Sequence, residues 1–107
     1  MQARGRPRKY KIVRTNPRIS QFSPRGKPGR PEEVNLKVEE FEAVRLADYI
    51  GLNQKTAAQS MQISQQTFSR ILKKARKTIA NAITNGRIIK IQGGTYVMTS
   101  KDSLPTA

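Results

Sequence analysis

Gln54-Lys55-Thr56-Ala57-Ala58-Gln59-Ser60-Met61-Gln62-Ile63-Ser64-Gln65-Gln66-Thr67-Phe68-Ser69-Arg70-Ile71-Leu72 is the stretch that decides the fold. Asn53 ahead of it offers an N-cap for a short helix over 54–61. Ser64 offers another for a helix that runs to about Asn85, where Gly86 can stop it. Small Ala57 and Ala58 sit where two helices must approach closely at a steep crossing. Met61 and Ile63 bracket a turn of about three residues and point inward, and Phe68, Ile71 and Leu72 supply the inner face of the next helix. This is the spacing of a helix-turn-helix, whose geometry sets the N-terminus of its second helix into the DNA major groove. Plain helical hairpins share the spacing, so by itself it leaves both readings open.

The longer helix narrows the choice. Phe68, Ile71, Leu72, Ala75, Ile79, Ala82 and Ile83 form an apolar stripe of period 3.6. The opposite face carries Gln66, Ser69, Arg70, Lys73 and Lys77, flanked by Lys74 and Arg76. Amide and guanidinium side chains read adenine and guanine edges bidentately. Ser64, Gln65, Gln66, Thr67, Ser69 and Arg70 are therefore the candidate base contacts. Lys55, Lys73, Lys74, Arg76 and Lys77 suit phosphates, which position a protein on the duplex without reading sequence. A merely solvated Lys-rich face would interleave Glu at i,i+4, and none stands between Tyr49 and Ser100.

Working outward, Val38, Phe41, Val44 and Ala47, with Ala43, Leu46 and Ile50 beside them, predict a first helix over 38–50, ended by Gly51. Glu39, Glu40 and Glu42 read as a solvated, dipole-favoured face near its start. Arg45 and Asp48 read as a structural pair. Residues 87–91 and 95–98 are β-rich runs around Gly93-Gly94 and predict a C-terminal hairpin. Residues 1–31 hold five of the six prolines. They predict an extended arm, with a short strand at Tyr10 to Val13. The fold class expected is mainly α. A three-helix bundle with the helix-turn-helix spans 32–86, after a basic arm over 1–31. A β-hairpin wing or dimerisation ribbon over 87–98 and a flexible tail over 99–107 follow it.

The 107 residues carry 21 Lys and Arg against 7 Asp and Glu, a formal charge of +14, with no Cys and no His. Disulfide scaffolds, Cys/His zinc sites and thiol or imidazole catalysis are thereby excluded. No nucleophile–base pair or phosphate-cradling loop is present, so an enzyme is not expected, nor a metal or cofactor. No apolar run approaches the roughly 20 residues of a membrane span, and no secretory signal is read at the N-terminus. The expected setting is the cytoplasm, associated with the nucleoid. The charge is also uneven. Residues 1–30 hold ten bases and no acid, residues 31–48 hold six acids against two bases, and residues 49–100 hold eight bases and no acid.

The arm contains Arg4-Gly5-Arg6-Pro7-Arg8-Lys9, the core of an AT-hook. Gly lets the backbone lie on the floor of the minor groove, Pro keeps the chain extended, and A-tract grooves reward inserted Arg. Arg4, Arg6, Arg8 and Lys9 are candidate minor-groove contacts. Residues 24–31 repeat the pattern more loosely.

Phe41-Glu42-Ala43-Val44-Arg45-Leu46-Ala47-Asp48, Gly51-Leu52, Ala57-Ala58, Gln66-Thr67-Phe68-Ser69-Arg70-Ile71-Leu72, Ala75-Arg76 and Gly93-Gly94 together resemble an uncharacterised prokaryotic family of small predicted DNA-binding proteins. Its helix-turn-helix is similar to region four of bacterial sigma factors. The resemblance spans roughly Arg6 to Tyr96 and implies a DNA binder with a transcriptional role. Two positions depart from the family pattern. Lys37 stands where a Thr usually caps the first helix, leaving Asn35 as a candidate cap. Gln62 stands at the turn position usually held by Gly, where it must adopt a positive φ at some cost in strain.

A sequence-specific regulator of double-stranded DNA is the first functional class. A nonspecific nucleoid-type or RNA-binding protein that relies on charge alone is the second, and a sigma-like module contacting RNA polymerase is the third. Ile88, Ile89, Ile91, Tyr96, Val97 and Met98 put more apolar surface on the expected hairpin than a two-stranded ribbon can bury. A homodimer through the hairpin and the end of the third helix is therefore expected.

Overall fold

The computed structural model describes residues 10–26 and 29–99. Arg4, Arg6, Arg8, Lys9 and the tail over 100–107 lie outside the described residues. Three helices carry the chain: α1 (Val38–Val44), α2 (Gln54–Met61) and α3 (Gln65–Asn85). Among the described residues there are also five short strands: β1 (Lys11–Val13), β2 (Gln21–Phe22), β3 (Glu33–Leu36), β4 (Ile88–Ile91) and β5 (Tyr96–Met98).

The first helix begins and ends where its apolar spacing predicts, but its second half differs. After Val44 the chain widens into a π-helical turn over Arg45–Ile50. The Gly51 and Leu52 N–H groups both donate to the Leu46 carbonyl, at 3.1 and 2.9 Å, and Gly51 at φ 91° ends the turn. The start is capped neither by a Thr nor by Asn35. The Lys37 N–H donates to the Glu40 carboxylate at 2.9 Å, so the helix's own third residue closes back onto the cap position.

The hairpin predicted over 87–98 does not form. Both of its strands exist, but β4 pairs with β2 on one side and β3 on the other, while β5 pairs in parallel with β1. The register sets Gln21 opposite Lys90, Leu36 opposite Ile91 and Val13 opposite Met98. The reason lies in the connection. The Gly93 carbonyl accepts the Val38 N–H at 3.1 Å, one of the donors a helix start leaves unpaired. The Thr95 N–H donates to Glu39 at 3.0 Å. The loop thus lies across the beginning of α1, and the two strands leave it in different directions. Gly94 is required there because its φ of 107° strains any side chain and because a Cβ would meet the Glu39 carboxylate.

Two apolar clusters form the core. The first joins α1 and the turn after it to α2 and α3: Ala43, Leu46, Ala57, Ala58, Met61, Phe68 and Leu72, with Ile63 and Ile71 packed at its edge. The second lies under the strands: Val13, Leu36, Val38, Ala75 and Ile91, with Tyr96 and Met98 against it. Val44 touches both. Tyr96 and Met98 are thus drawn inward, and the apolar surplus that suggested a dimerisation ribbon is largely spent inside one chain.

Candidate nucleic-acid interface

The turn between α2 and α3 is built from three local devices. The Asn53 side chain accepts the Thr56 N–H at 2.8 Å and starts α2. Gln62 then takes φ 56°, the sole non-glycine positive φ among the described residues, and its N–H returns to the end of α2. Ser64 starts α3 by accepting the Thr67 N–H at 3.0 Å. Ala57 and Ala58 are buried, which lets the helices close on Phe68 and Leu72. Truncating a buried aromatic of this kind costs about 3–5 kcal/mol, so the apposition of α2 and α3 is firmly held.

The predicted site residues separate into three groups. Gln65, Gln66 and Arg70, with Lys73, Lys74 and Lys77, are exposed on the outer side of α3, and Lys55 is exposed at the start of α2. Ser64, Thr67 and Ser69 are already engaged. The Ser64 hydroxyl donates to Thr67 Oγ1 at 2.9 Å while capping the helix. The Ser69 hydroxyl donates to Gln54 Oε1 at 2.6 Å and ties the start of α2 to α3. Arg76 is engaged too, in two hydrogen bonds to Asp48. Gln54, Ser69, Arg70, Leu72, Lys73 and Arg76 line an open cleft of about 370 Å³ between the two helices.

The acids do not behave as a solvated face. Glu39, Glu40 and Glu42 are all buried, Glu42 completely. Glu42 accepts two hydrogen bonds from Arg45, at 2.9 and 3.0 Å, and the Arg14 N–H at 3.1 Å. Arg14 continues to Ser60, its Nε reaching the hydroxyl and its Nη2 the carbonyl, both at 3.1 Å. Arg45 therefore pairs with Glu42 and not with Asp48. The result is a polar clamp that fastens the segment after β1 to α1 and to the last turn of α2. A signal for it stands in the sequence. Glu39, Glu42 and Leu46 share an i, i+3, i+7 line, so two acids occupy positions of a buried stripe.

Among the described residues, no helix is long and apolar enough to cross a membrane. No solved structure matches the chain. A "UPF0251 protein" of Caldicellulosiruptor bescii is 52% identical over 92 residues, which cover 86% of this chain and 64% of that protein. A "UPF0251 protein" of Desulfosudis oleivorans is 47% identical over 98 residues, covering 91% of this chain and 71% of the relative. A third, from Syntrophomonas wolfei, is 53% identical over 83 residues, covering 77% and 64%. The chain thus spans just under two thirds of the first and third of these relatives. The family model described as "Protein of unknown function DUF134" matches residues 1–99, and the chain belongs to that family.

Proposed function

We propose that this protein binds double-stranded DNA sequence-specifically and regulates transcription, with α3 lying in the major groove. The observation that carries the proposal is the outer side of α3. Gln65, Gln66 and Arg70 stand exposed in its first turns, and Lys73, Lys74 and Lys77 follow. Of the cations on this helix, Arg76 has a carboxylate partner among the described residues. Amides and Arg near the helix start suit base edges, and the later Lys suit phosphates. Ser64 and Thr67 move from base reading to capping, and Arg76 reaches phosphate only by leaving Asp48. Arg4, Arg6, Arg8 and Lys9 would add minor-groove contacts.

The test is Arg70→Ala on a preferred site and on random DNA. A loss of about 1–3 kcal/mol confined to the preferred site supports base reading; equal losses assign Arg70 to the backbone. About six phosphate contacts give a slope of log affinity against log salt near -5. The arm is tested by removing residues 1–9, because β1 and Arg14 belong to the fold and a longer deletion would unseat them.

A further inference from the structure

Among the described residues Tyr10, Ile19, Phe22, Tyr49, Ile83 and Val97 are large apolar side chains left exposed. Four of them are contiguous. Ile19, Phe22 and Tyr49 line a groove of about 400 Å³, floored by Phe41 and Val44. Phe22 and Ile83 line a second, of about 230 Å³, with Ala82 and Ile89. Phe22 is common to both, so the grooves join into one stripe. It runs from the end of the π turn, over β2, to the last turns of α3. Tyr49 and Ile83 stand up at its two ends, 76% and 75% exposed. At roughly 200 Å² for a large apolar residue, aromatic or aliphatic, the four leave on the order of 500 Å² uncovered. That is the upper end for an ordinary monomer, and more than half of the roughly 800 Å² each partner gives to a standard interface.

The charge around the stripe says what covers it. Three cations line the two grooves: Arg18, Arg45 and Arg87. Arg45 is held by Glu42 and Arg87 by Glu32, and Arg18 alone of the three has no carboxylate partner among the described residues. An acidic partner would gain little here. Two chains of +14 charge repel over most of their surfaces, but along this stripe each presents an almost neutral, apolar face.

We propose that the stripe is the surface on which a second copy of this chain docks. The knob at one end and the groove at the other make it self-complementary. About a two-fold axis near Phe22, Ile83 of each copy enters the Tyr49–Phe22 groove of the other. Association has a salt dependence opposite to that of DNA binding. Screening relieves repulsion between the copies, whereas it weakens phosphate contacts. The interface does not depend on the DNA reading.

Sedimentation equilibrium of the full chain, without DNA and at rising salt, reads it directly. The expected result is a weight-average mass that climbs toward twice the chain mass with concentration and with salt. Ile83→Glu, at an exposed position, should weaken association at least about tenfold and leave the thermal melt unchanged at a dilution where both chains are monomeric. The chain has no cysteine, so single Ile83→Cys and Tyr49→Cys variants can be mixed. A disulfide joining position 83 of one copy to position 49 of the other should form faster than one joining Lys55→Cys to either. A chain that stays monomeric at every salt overturns the proposal. So does a dimer that Ile83→Glu leaves intact, or cross-linking no faster than the Lys55→Cys control.

Discussion

Asp48 and Arg76 are joined by two parallel hydrogen bonds that cross from the π turn to α3: Nε to Oδ2 at 3.1 Å and Nη2 to Oδ1 at 2.7 Å. The hydrogen bonds from Arg76 hold the Asp48 carboxyl below its ordinary value of 3.8, against a smaller opposing effect of burial. A carboxyl depressed in the folded state stabilises above its unfolded value and loses that contribution as pH falls through the folded one. The loss therefore lies below about pH 3.8. It is small, because exposed pairs contribute about 0.2–1 kcal/mol. Asp48→Asn is expected to cost less than about 1 kcal/mol in a denaturant melt. It also frees Arg76 on α3, so if α3 meets DNA as proposed, binding to random DNA should tighten and its salt slope steepen by about one. An unchanged slope would place Arg76 away from phosphates.

Glu42 is the opposite case, a fully buried carboxylate satisfied by Arg45 and by the Arg14 N–H. Glu42→Ala strands the Arg45 guanidinium and is expected to destabilise the fold by about 3–5 kcal/mol. Chemical denaturation of the variant measures it, and a cost under about 1 kcal/mol would mean that water satisfies the Arg.

Gln62 and Gly94 predict opposite signs for changes at positive φ. Gln62, at φ 56°, stands in a conformation that glycine adopts without strain. Gln62→Gly should stabilise by up to about 1 kcal/mol, the strain relieved less the extra chain entropy. Gly94→Ala should destabilise, since its Cβ would collide with the Glu39 carboxylate. Thermal melts of the two variants should move in opposite directions.

Ser64 and Gln66 separate capping from recognition. Ser64→Ala removes the acceptor of the Thr67 N–H and is expected to cost about 1 kcal/mol of stability. Gln66→Ala, at an exposed helical position, should leave stability unchanged and alter site preference. If Ser64→Ala instead shifts site preference at constant stability, its hydroxyl reads a base.

The helices were legible because each signal for them is local. The caps Asn53 and Ser64, the stops Gly51 and Gly86, and the 3.6-residue stripe lie within or beside the elements they define. The strand partners were not, because β4 meets strands more than fifty residues earlier in the chain, and nothing in Ile88–Ile91 names them. Gly93-Gly94 suggested a hairpin, yet the pair serves a different contact, the close approach of a loop to Glu39. The burial of Glu39 and Glu42 was half legible. Their place on the Leu46 line marks them as inward and Arg45 is a local partner, but the other partners that make burial tolerable, Arg14 and Lys11, come from the segment that reads as an extended arm. On α3, spacing identified the exposed Gln65, Gln66 and Arg70, whereas the engagement of Ser69 by Gln54 and of Arg76 by Asp48 required tertiary structure.

Selection of binding sites from random double-stranded DNA tests the central claim most directly, with the recovered site and bulk DNA then compared at one salt concentration. The account predicts a recovered consensus bound at least about 10³-fold more tightly than bulk DNA, with the preference lost at particular base pairs in Arg70→Ala and Gln66→Ala. Failure to enrich any sequence, with equal affinity for all duplexes and a salt dependence set by charge alone, would contradict it.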